Sequence, residues 1–191
     1  VDEDDETNFN VNAVNLEENG GRVPIPYVLP PDIERQLVYG GTQIIQQNEQ
    51  SMSLEICGLE DGDARACYRN VQFDIRSYKR LKMFVHAEGT DLKDGDISAF
   101  IRLGTDLVGN YYEYEIPLKM TPDGTYSADQ IWKSENAFDF ELSDLFNAKN
   151  KRSESNVQLT RPFFYYNDKG HKITVLGLPD LSNVRTIMLG V

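Results

Sequence analysis

From residue 37 onward the sequence is a succession of short segments rich in β-branched and aromatic residues, and Asp-Gly turn signals follow several of them. The pattern predicts strands at 37–46, 51–57, 66–75, 80–87, 96–103, 111–118, 171–176 and 184–190. One segment has helical spacing instead, because Leu142, Leu145 and Phe146 stand at i, i+3 and i+4, and it predicts a short helix near 141–152. Since strands and helices do not alternate, we expect a mainly all-β fold, an antiparallel β-sandwich.

Three predicted strands alternate between an apolar set and a mixed set of side chains. The apolar set builds the core, whereas the mixed set suits an exposed or partner-covered sheet face. The candidate interface residues of that face are Lys82, Phe84, His86, Phe100, Arg102, Tyr111, Glu113 and Glu115. Three interpretations stay open: a solvent-facing sheet with ion pairs such as Arg102 with Glu113, a surface for a protein partner, and a glycan-binding surface.

The charge of the chain is concentrated at its N-terminal end. The sequence has 31 acidic and 19 basic residues, a net charge of −12, and residues 1–20 hold seven of the acids and no base. We expect residues 1–20 to be a disordered or extended acidic arm, 21–36 to be a Pro-rich extended segment packing on the body, and 37–191 to be a single β-sandwich domain. The acidic balance argues against nucleic acid and anionic membranes as partners.

Cys57 and Cys67 stand at the inner ends of two predicted strands, and the sequence between them resembles a hairpin turn. Cross-strand neighbours in a hairpin can meet disulfide geometry, so a disulfide and two free thiols both remain open. Two cysteines without nearby histidines do not make a zinc site.

Other site chemistry has little support in the sequence. The acidic turn with Asp91, Asp94 and Asp96 is a weak calcium candidate, because Asp-Gly turns need no metal. The two histidines, His86 and His171, do not stand in a nucleophile motif, and no P-loop or dinucleotide fingerprint occurs. We therefore expect no catalytic residue, no cofactor and no enzymatic activity.

Several stretches resemble the soluble N-terminal-type domain of the SprA/Sov family. They are residues 22–24, 27–31, 46–54, 59–66, 78–88, 94–96, 100–104, 110–118 and 181–191, so the resemblance covers roughly 22 to 191. The most specific of them are the stretch YKRLKMFVHAE and the alternation of tyrosine and glutamate in 110–118.

This resemblance implies a role in secretion or motility, which the composition alone does not indicate. Members are giant outer-membrane β-barrel translocons of the type IX secretion system, which pass folded cargo and serve gliding motility or protease secretion. It implies that the chain is one soluble domain cut from such a parent, on the periplasmic or extracellular face and without direct membrane insertion. The partners it implies are other domains of the translocon, the shuttle and plug proteins, and cargo.

The resemblance also shifts two open questions. Folding outside the cytoplasm favours the disulfide between Cys57 and Cys67. The strand pattern further resembles the jelly-roll sandwiches of carbohydrate-binding modules, so a module that recognises surface polysaccharide is the alternative function. That likeness concerns the fold and says little about a ligand.

Overall fold

The computed structural model describes residues 6–40 and 43–191. Its strands are β1 (Asn8–Asn15), β2 (Leu37–Gly40), β3 (Gln43–Gln46), β4 (Gln50–Cys57), β5 (Ala66–Phe73), β6 (Arg80–Met83), β7 (Ser98–Gly104), β8 (Tyr111–Pro117), β9 (Phe138–Glu141), β10 (Phe163–Tyr166), β11 (Lys172–Leu176) and β12 (Val184–Gly190). Its α-helices are α1 (Leu16–Asn19), α2 (Ala128–Ile131) and α3 (Leu142–Glu154), and a 3₁₀ turn covers Ser134–Asn136.

The largest sheet has six antiparallel strands in the order β10–β11–β8–β7–β12–β5. Strand β12 therefore lies between β7 and β5, which are far from it in sequence. Three separate two-stranded ladders join β1 with β4, β2 with β3, and β6 with β9. The strands β7, β8 and β12 are the long central ones, and their alternation of apolar and polar residues fixes which side chains point to the core.

The core lies on one side of the six-stranded sheet, where the β6–β9 ladder and helix α3 form the second layer. Tyr114 of β8 stacks on Phe140 of β9 with ring centroids 3.9 Å apart, and both side chains are buried. Leu142, Leu145 and Ala148 of α3 pack into the same cluster. The predicted mainly β, antiparallel sandwich is confirmed, and it has one broad layer and one small layer.

Helix α3 agrees with the predicted helix near 141–152. Along the chain it leads from β9 of the small layer to β10 of the six-stranded sheet. The basic end of α3 is anchored by main-chain carbonyls: Lys149 Nζ donates to Pro179 O at 2.6 Å, and Arg152 Nη1 donates to Gly177 O at 2.8 Å. Arg152 is buried, so these hydrogen bonds hold the loop after β11 against the helix. Within the described ranges, no helix has both the length and the apolar character required to cross a membrane.

Part of the predicted acidic arm is structured. Within the segment 1–20, residues 8–15 form β1, which pairs along its whole length with β4. Residues 1–5 of that predicted arm lie outside the described residues. The hairpin expected between 51–57 and 66–75 does not form: β4 pairs with β1, and β5 pairs with β12 in a different sheet.

The Pro-rich segment of residues 22–31, here called the strap, crosses the molecule beside helix α2. Ile25 and Tyr27 are buried against Ile131 and Trp132 in a small hydrophobic cluster apart from the main core. The strap belongs to none of the sheets, because its prolines lack the N–H groups that a ladder requires.

Candidate interaction face

The face of the six-stranded sheet directed away from the core, here called the outer face, carries most of the mixed residues predicted from sequence. Strand register places its side chains in rows that cross the sheet from β10 to β5. One row contains Phe164, Thr174, Glu113, Arg102, Met188 and Tyr68. The next row contains Tyr166, Lys172, Glu115, Phe100, Gly190 and Ala66. Tyr111 lies beside them at the start of β8.

The predicted pair of Arg102 with Glu113 is confirmed at the centre of the outer face. Two guanidinium nitrogens of Arg102 lie 2.6 and 2.7 Å from Glu113 Oε2, and the third donates to Leu107 O at 2.7 Å. The guanidinium carbon also lies 4.0 Å from the ring centroid of Tyr111. Burial raises the pKa of Tyr111, against an opposing effect of the Arg102 charge, so this phenol stays neutral. The pair is largely desolvated, since only 22% of the Arg102 side chain and 13% of the Glu113 side chain are exposed.

A second ion pair lies on the adjacent row. Lys172 Nζ lies 2.9 Å from Glu115 Oε2, and the hydrogen bond to this carboxylate raises the pKa of Lys172. The ammonium also lies 5.6 Å from the ring centroid of Phe164. Each charge of the two ion pairs is therefore neutralised within the face.

Exposed aromatic side chains flank these paired charges. Phe164 and Tyr166 on β10 are 52% and 62% exposed, and their rings meet edge to face with centroids 6.1 Å apart. Tyr68 on β5, at the opposite edge, is 63% exposed. Aromatic residues, methionine and arginine are the types enriched at protein interfaces, whereas lysine, glutamate and aspartate are depleted there.

The structure separates the eight predicted interface residues into two groups. Phe100, Arg102, Tyr111, Glu113 and Glu115 lie on the outer face, as the rows above show. Lys82, Phe84 and His86 do not lie there, because β6 pairs with β9 in a separate two-stranded ladder and ends at Met83. Lys82 stands opposite Asp139, and the rings of Phe84 and His86 pack against Trp132 at 6.3 and 6.0 Å. The prediction that all eight share one face is therefore wrong.

Sequence reasoning missed eight residues of the two rows on the outer face. Five of them have long or aromatic side chains, namely Tyr68, Phe164, Tyr166, Lys172 and Met188, and the other three are Ala66, Thr174 and Gly190. Residues 163–166 read FFYY, and this aromatic run was the available signal for β10, which the strand prediction omitted. The position of Lys172 opposite Glu115 depends on the order of strands in the sheet, which no local pattern contains.

The acidic turn that contains Asp91, Asp94 and Asp96 is held by backbone hydrogen bonds. Asp94 Oδ1 accepts from the N–H of Met120 and Asp96 Oδ2 from the N–H of Lys93, both at 2.8 Å. Among residues 6–40 and 43–191, no three His, Cys, Asp or Glu side chains are grouped as metal ligands would be. These aspartates thus act as turn residues in this structure.

The two cysteines are free thiols in the structure, so the predicted disulfide is not formed. The strands that carry them are not hairpin partners: Cys57 pairs with Asn8 and Cys67 with Leu189. Cys67 instead directs its Sγ toward Met52 Sδ at 3.5 Å.

Comparison with known proteins agrees with the sequence resemblance. None of the curated proteins compared with the chain matches it. One family model, SprA_N, described as motility related/secretion protein, matches residues 1–191. That match includes the alternating Tyr and Glu residues of β8 as well as the strap. The chain therefore belongs to the SprA_N family of motility-related and secretion proteins.

Proposed function

We propose that this chain is a non-catalytic interaction domain of a type IX secretion translocon in the outer membrane, and that its outer face contacts neighbouring parts of the machinery. Its family supports a role in motility or secretion. The partners in this proposal are other domains of the parent, the shuttle and plug subunits, or folded cargo.

One observation carries the proposal: the outer face has solvent-exposed aromatic side chains, and the charges of Arg102, Glu113, Lys172 and Glu115 are already paired with each other. Burying an unpaired charge at an interface is expensive, whereas the pairs Arg102–Glu113 and Lys172–Glu115 keep their partners when a second protein covers them. The exposed rings of Phe164 and Tyr166 supply apolar area that a partner can bury. A face of this kind suits protein contact better than catalysis, which requires unpaired reactive groups in a cleft.

The test is a pair of substitutions in the full-length parent protein, Phe164→Ala with Tyr166→Ala. Both side chains are exposed, so the domain is expected to fold while secretion or gliding declines. The matched control is Tyr126→Ala, because Tyr126 is 63% exposed but lies in the loop before α2. Normal secretion and gliding by a stably folded double variant would overturn the assignment of the outer face. Saturable glycan binding that this variant loses would favour the carbohydrate-binding alternative instead.

A further inference from the structure

Strand β10 ends the six-stranded sheet, because it pairs with β11 on one side and with no described strand on the other. The N–H of Asn167 donates to His171 O at 3.0 Å, so this pair is hydrogen-bonded across the ladder. Such pairs recur at every second residue of an antiparallel ladder, so Tyr165 bonds to β11, whereas the N–H and C=O groups of Phe164 and Tyr166 point away from it. In the described part of the chain these main-chain groups, here called the open edge, have no hydrogen-bond partner.

Strand β10 is only four residues long, but it lacks the charges and bulges with which proteins protect a strand edge. Its residues read FFYY. By contrast β5, at the other end of the sheet, contains Arg69 and has a register shift against β12 between Val184 and Thr186. An uncharged edge with free main-chain groups is a template for a further strand, so the open edge can accept one.

The side chains beside the open edge indicate what such a strand would contain. A residue that exchanges main-chain hydrogen bonds with Phe164 or Tyr166 places its own side chain on the outer face, next to their rings. Both rings are more than half exposed, so they have apolar area left to bury. Aromatic and β-branched residues pack best against an aromatic cross-strand neighbour, and we expect them at these two positions of the incoming strand.

Basic side chains lie at both ends of β10. Arg161 precedes the strand, and it forms no ion pair with the described residues. Lys169 follows the strand, and its Nζ lies 3.5 Å from a main-chain oxygen, Asp139 O. Between the two cations Asp168 is the single acid. A complementary strand would therefore have an acidic residue at each end.

A second copy of the chain fits the open edge less well. Two copies could join their β10 strands antiparallel, with Phe164 of each opposite Tyr166 of the other. That register would also bring Arg161 of each copy opposite Lys169 of the other, and like charges in such positions repel. Each copy also has a net charge of −12, which adds to the repulsion.

We propose that the open edge binds an extended segment of a neighbouring protein of the machinery as an added strand of the six-stranded sheet. The segment has aromatic or β-branched residues at its centre and an acidic residue at each end. Main-chain pairing of this kind supplies affinity, and the alternate side chains supply specificity. The inference rests on the proposed function, since Phe164 and Tyr166 belong to the outer face, and it adds the way in which the partner is held.

The experiment titrates the peptide Glu-Thr-Thr-Tyr-Thr-Tyr-Thr-Thr-Glu, with both termini blocked, into the chain. In the antiparallel register its tyrosines lie opposite Phe164 and Tyr166. Its glutamates then lie opposite Arg161 and Lys169. Saturable binding is expected, and hydrogen exchange at the amides of Phe164 and Tyr166, which is fast in the free chain, should slow by about tenfold or more.

N-methylation of the peptide separates strand pairing from side-chain contact. Methyl groups on the two tyrosine nitrogens remove the donors directed at β10, so the affinity should fall by about tenfold or more. Methyl groups on the threonine after each tyrosine are the matched control, because those nitrogens point to the opposite edge of the peptide. They should change the affinity by about twofold or less.

Charge reversal tests the preference for acidic ends. Arg161→Glu with Lys169→Glu should lower the affinity for the unmodified peptide by about fivefold or more. The control is Arg69→Glu with Lys93→Glu, which changes the net charge equally at exposed residues outside β10 and its flanks. It should change the affinity by about twofold or less.

Three results would overturn the inference: no saturable binding, equal losses with the two methylated peptides, or unchanged exchange at the amides of Phe164 and Tyr166. A dimer of the chain in which those amides are protected without peptide would assign the open edge to a second copy and also overturn it. The proposed function is judged separately, by secretion and gliding of the Phe164→Ala, Tyr166→Ala parent. Peptide pairing together with normal secretion and gliding would retain the open edge as a binding site and overturn the proposed function.

Discussion

Arg102 and Glu113 face each other across β7 and β8 with their charged atoms 2.6 Å apart, and the same guanidinium lies over the ring of Tyr111. The neighbouring pair, Lys172 and Glu115, has a similar distance but greater exposure, 31% and 27%. The two pairs differ in exposure but lie on the same sheet face, so the difference between their coupling energies measures the effect of burial on ion-pair strength.

We expect the coupling energy of Arg102 with Glu113 to exceed that of Lys172 with Glu115. Double-mutant cycles with alanine, read from urea denaturation, should give about 1–2 kcal/mol for the first pair and about 0.5 kcal/mol for the second. The cause is the lower exposure of Arg102 and Glu113, which reduces the screening of their charges by water. Equal coupling in the two cycles would contradict this explanation.

Gly177→Ala should destabilise the fold far more than Gly170→Ala. Both glycines have positive φ, +63° and +77°, so each substitution brings a conformational penalty of about 1 kcal/mol. At Gly177 the added Cβ would also lie 2.1 Å from Gly109 O, whereas at Gly170 nothing lies within 4 Å. Thermal or urea denaturation should give a loss of about 3 kcal/mol or more at Gly177 and about 1 kcal/mol at Gly170. Equal losses would show that the loop moves to make room.

Stability should decline as the pH falls below about 6.5, the ordinary pKa of histidine. Burial lowers the pKa of His86, with Arg22 and Lys133 acting in the same direction and Glu88 opposing, and burial also lowers the pKa of His171. In that window the unfolded chain binds a proton that the folded chain does not, so the free energy of unfolding decreases until the folded pKa is passed. Unfolding measured between about pH 7 and about pH 5 should show a flatter dependence for His86→Gln than for the wild-type chain. A parallel dependence in both would exclude His86 as the cause.

Cys57 and Cys67 should both react with a thiol reagent without prior reduction. The structure has them as free thiols, and Cys57 is exposed while Cys67 is half-buried, so Cys57 should react first. Alkylation with iodoacetamide followed by mass spectrometry should add two groups to the non-reduced protein. An unmodified product with a mass about 2 Da below that of the reduced chain would show that the strands rearrange to form the disulfide.

The sequence contained the local features of this fold and few of its pairings. Strands such as 184–190 and the apolar faces of β7 and β8 were predictable, because period-two alternation is written directly in the residues. The pairing of β4 with β1 was not, since β4 shows no local sign of the strand that completes its ladder. An adjacent strand, β5, was the natural expectation, and the hairpin and disulfide predictions both followed from that choice.

The candidate site was predicted in part for the same reason. Arg102 opposite Glu113 followed from two neighbouring strands joined by a short loop, and such pairs are accessible to sequence reasoning. Lys82, Phe84 and His86 were misplaced because the end of β6 and its pairing with β9 depend on residues 138–141. Lys172 and the aromatic residues of β10 join the face only through the order of strands in the sheet.

The position of β12 between β7 and β5 also sets the order in which the domain can assemble. Strand β5 has β12 as its sole neighbour in the six-stranded sheet, so residues 66–73 cannot join it until residues 184–190 have been delivered. While residues 74–183 are being synthesised, β5 and the edge of β7 that pairs with β12 stay without their partner strand. We therefore expect the incomplete chain to be more prone to aggregation than the complete one until about residue 190 has been added.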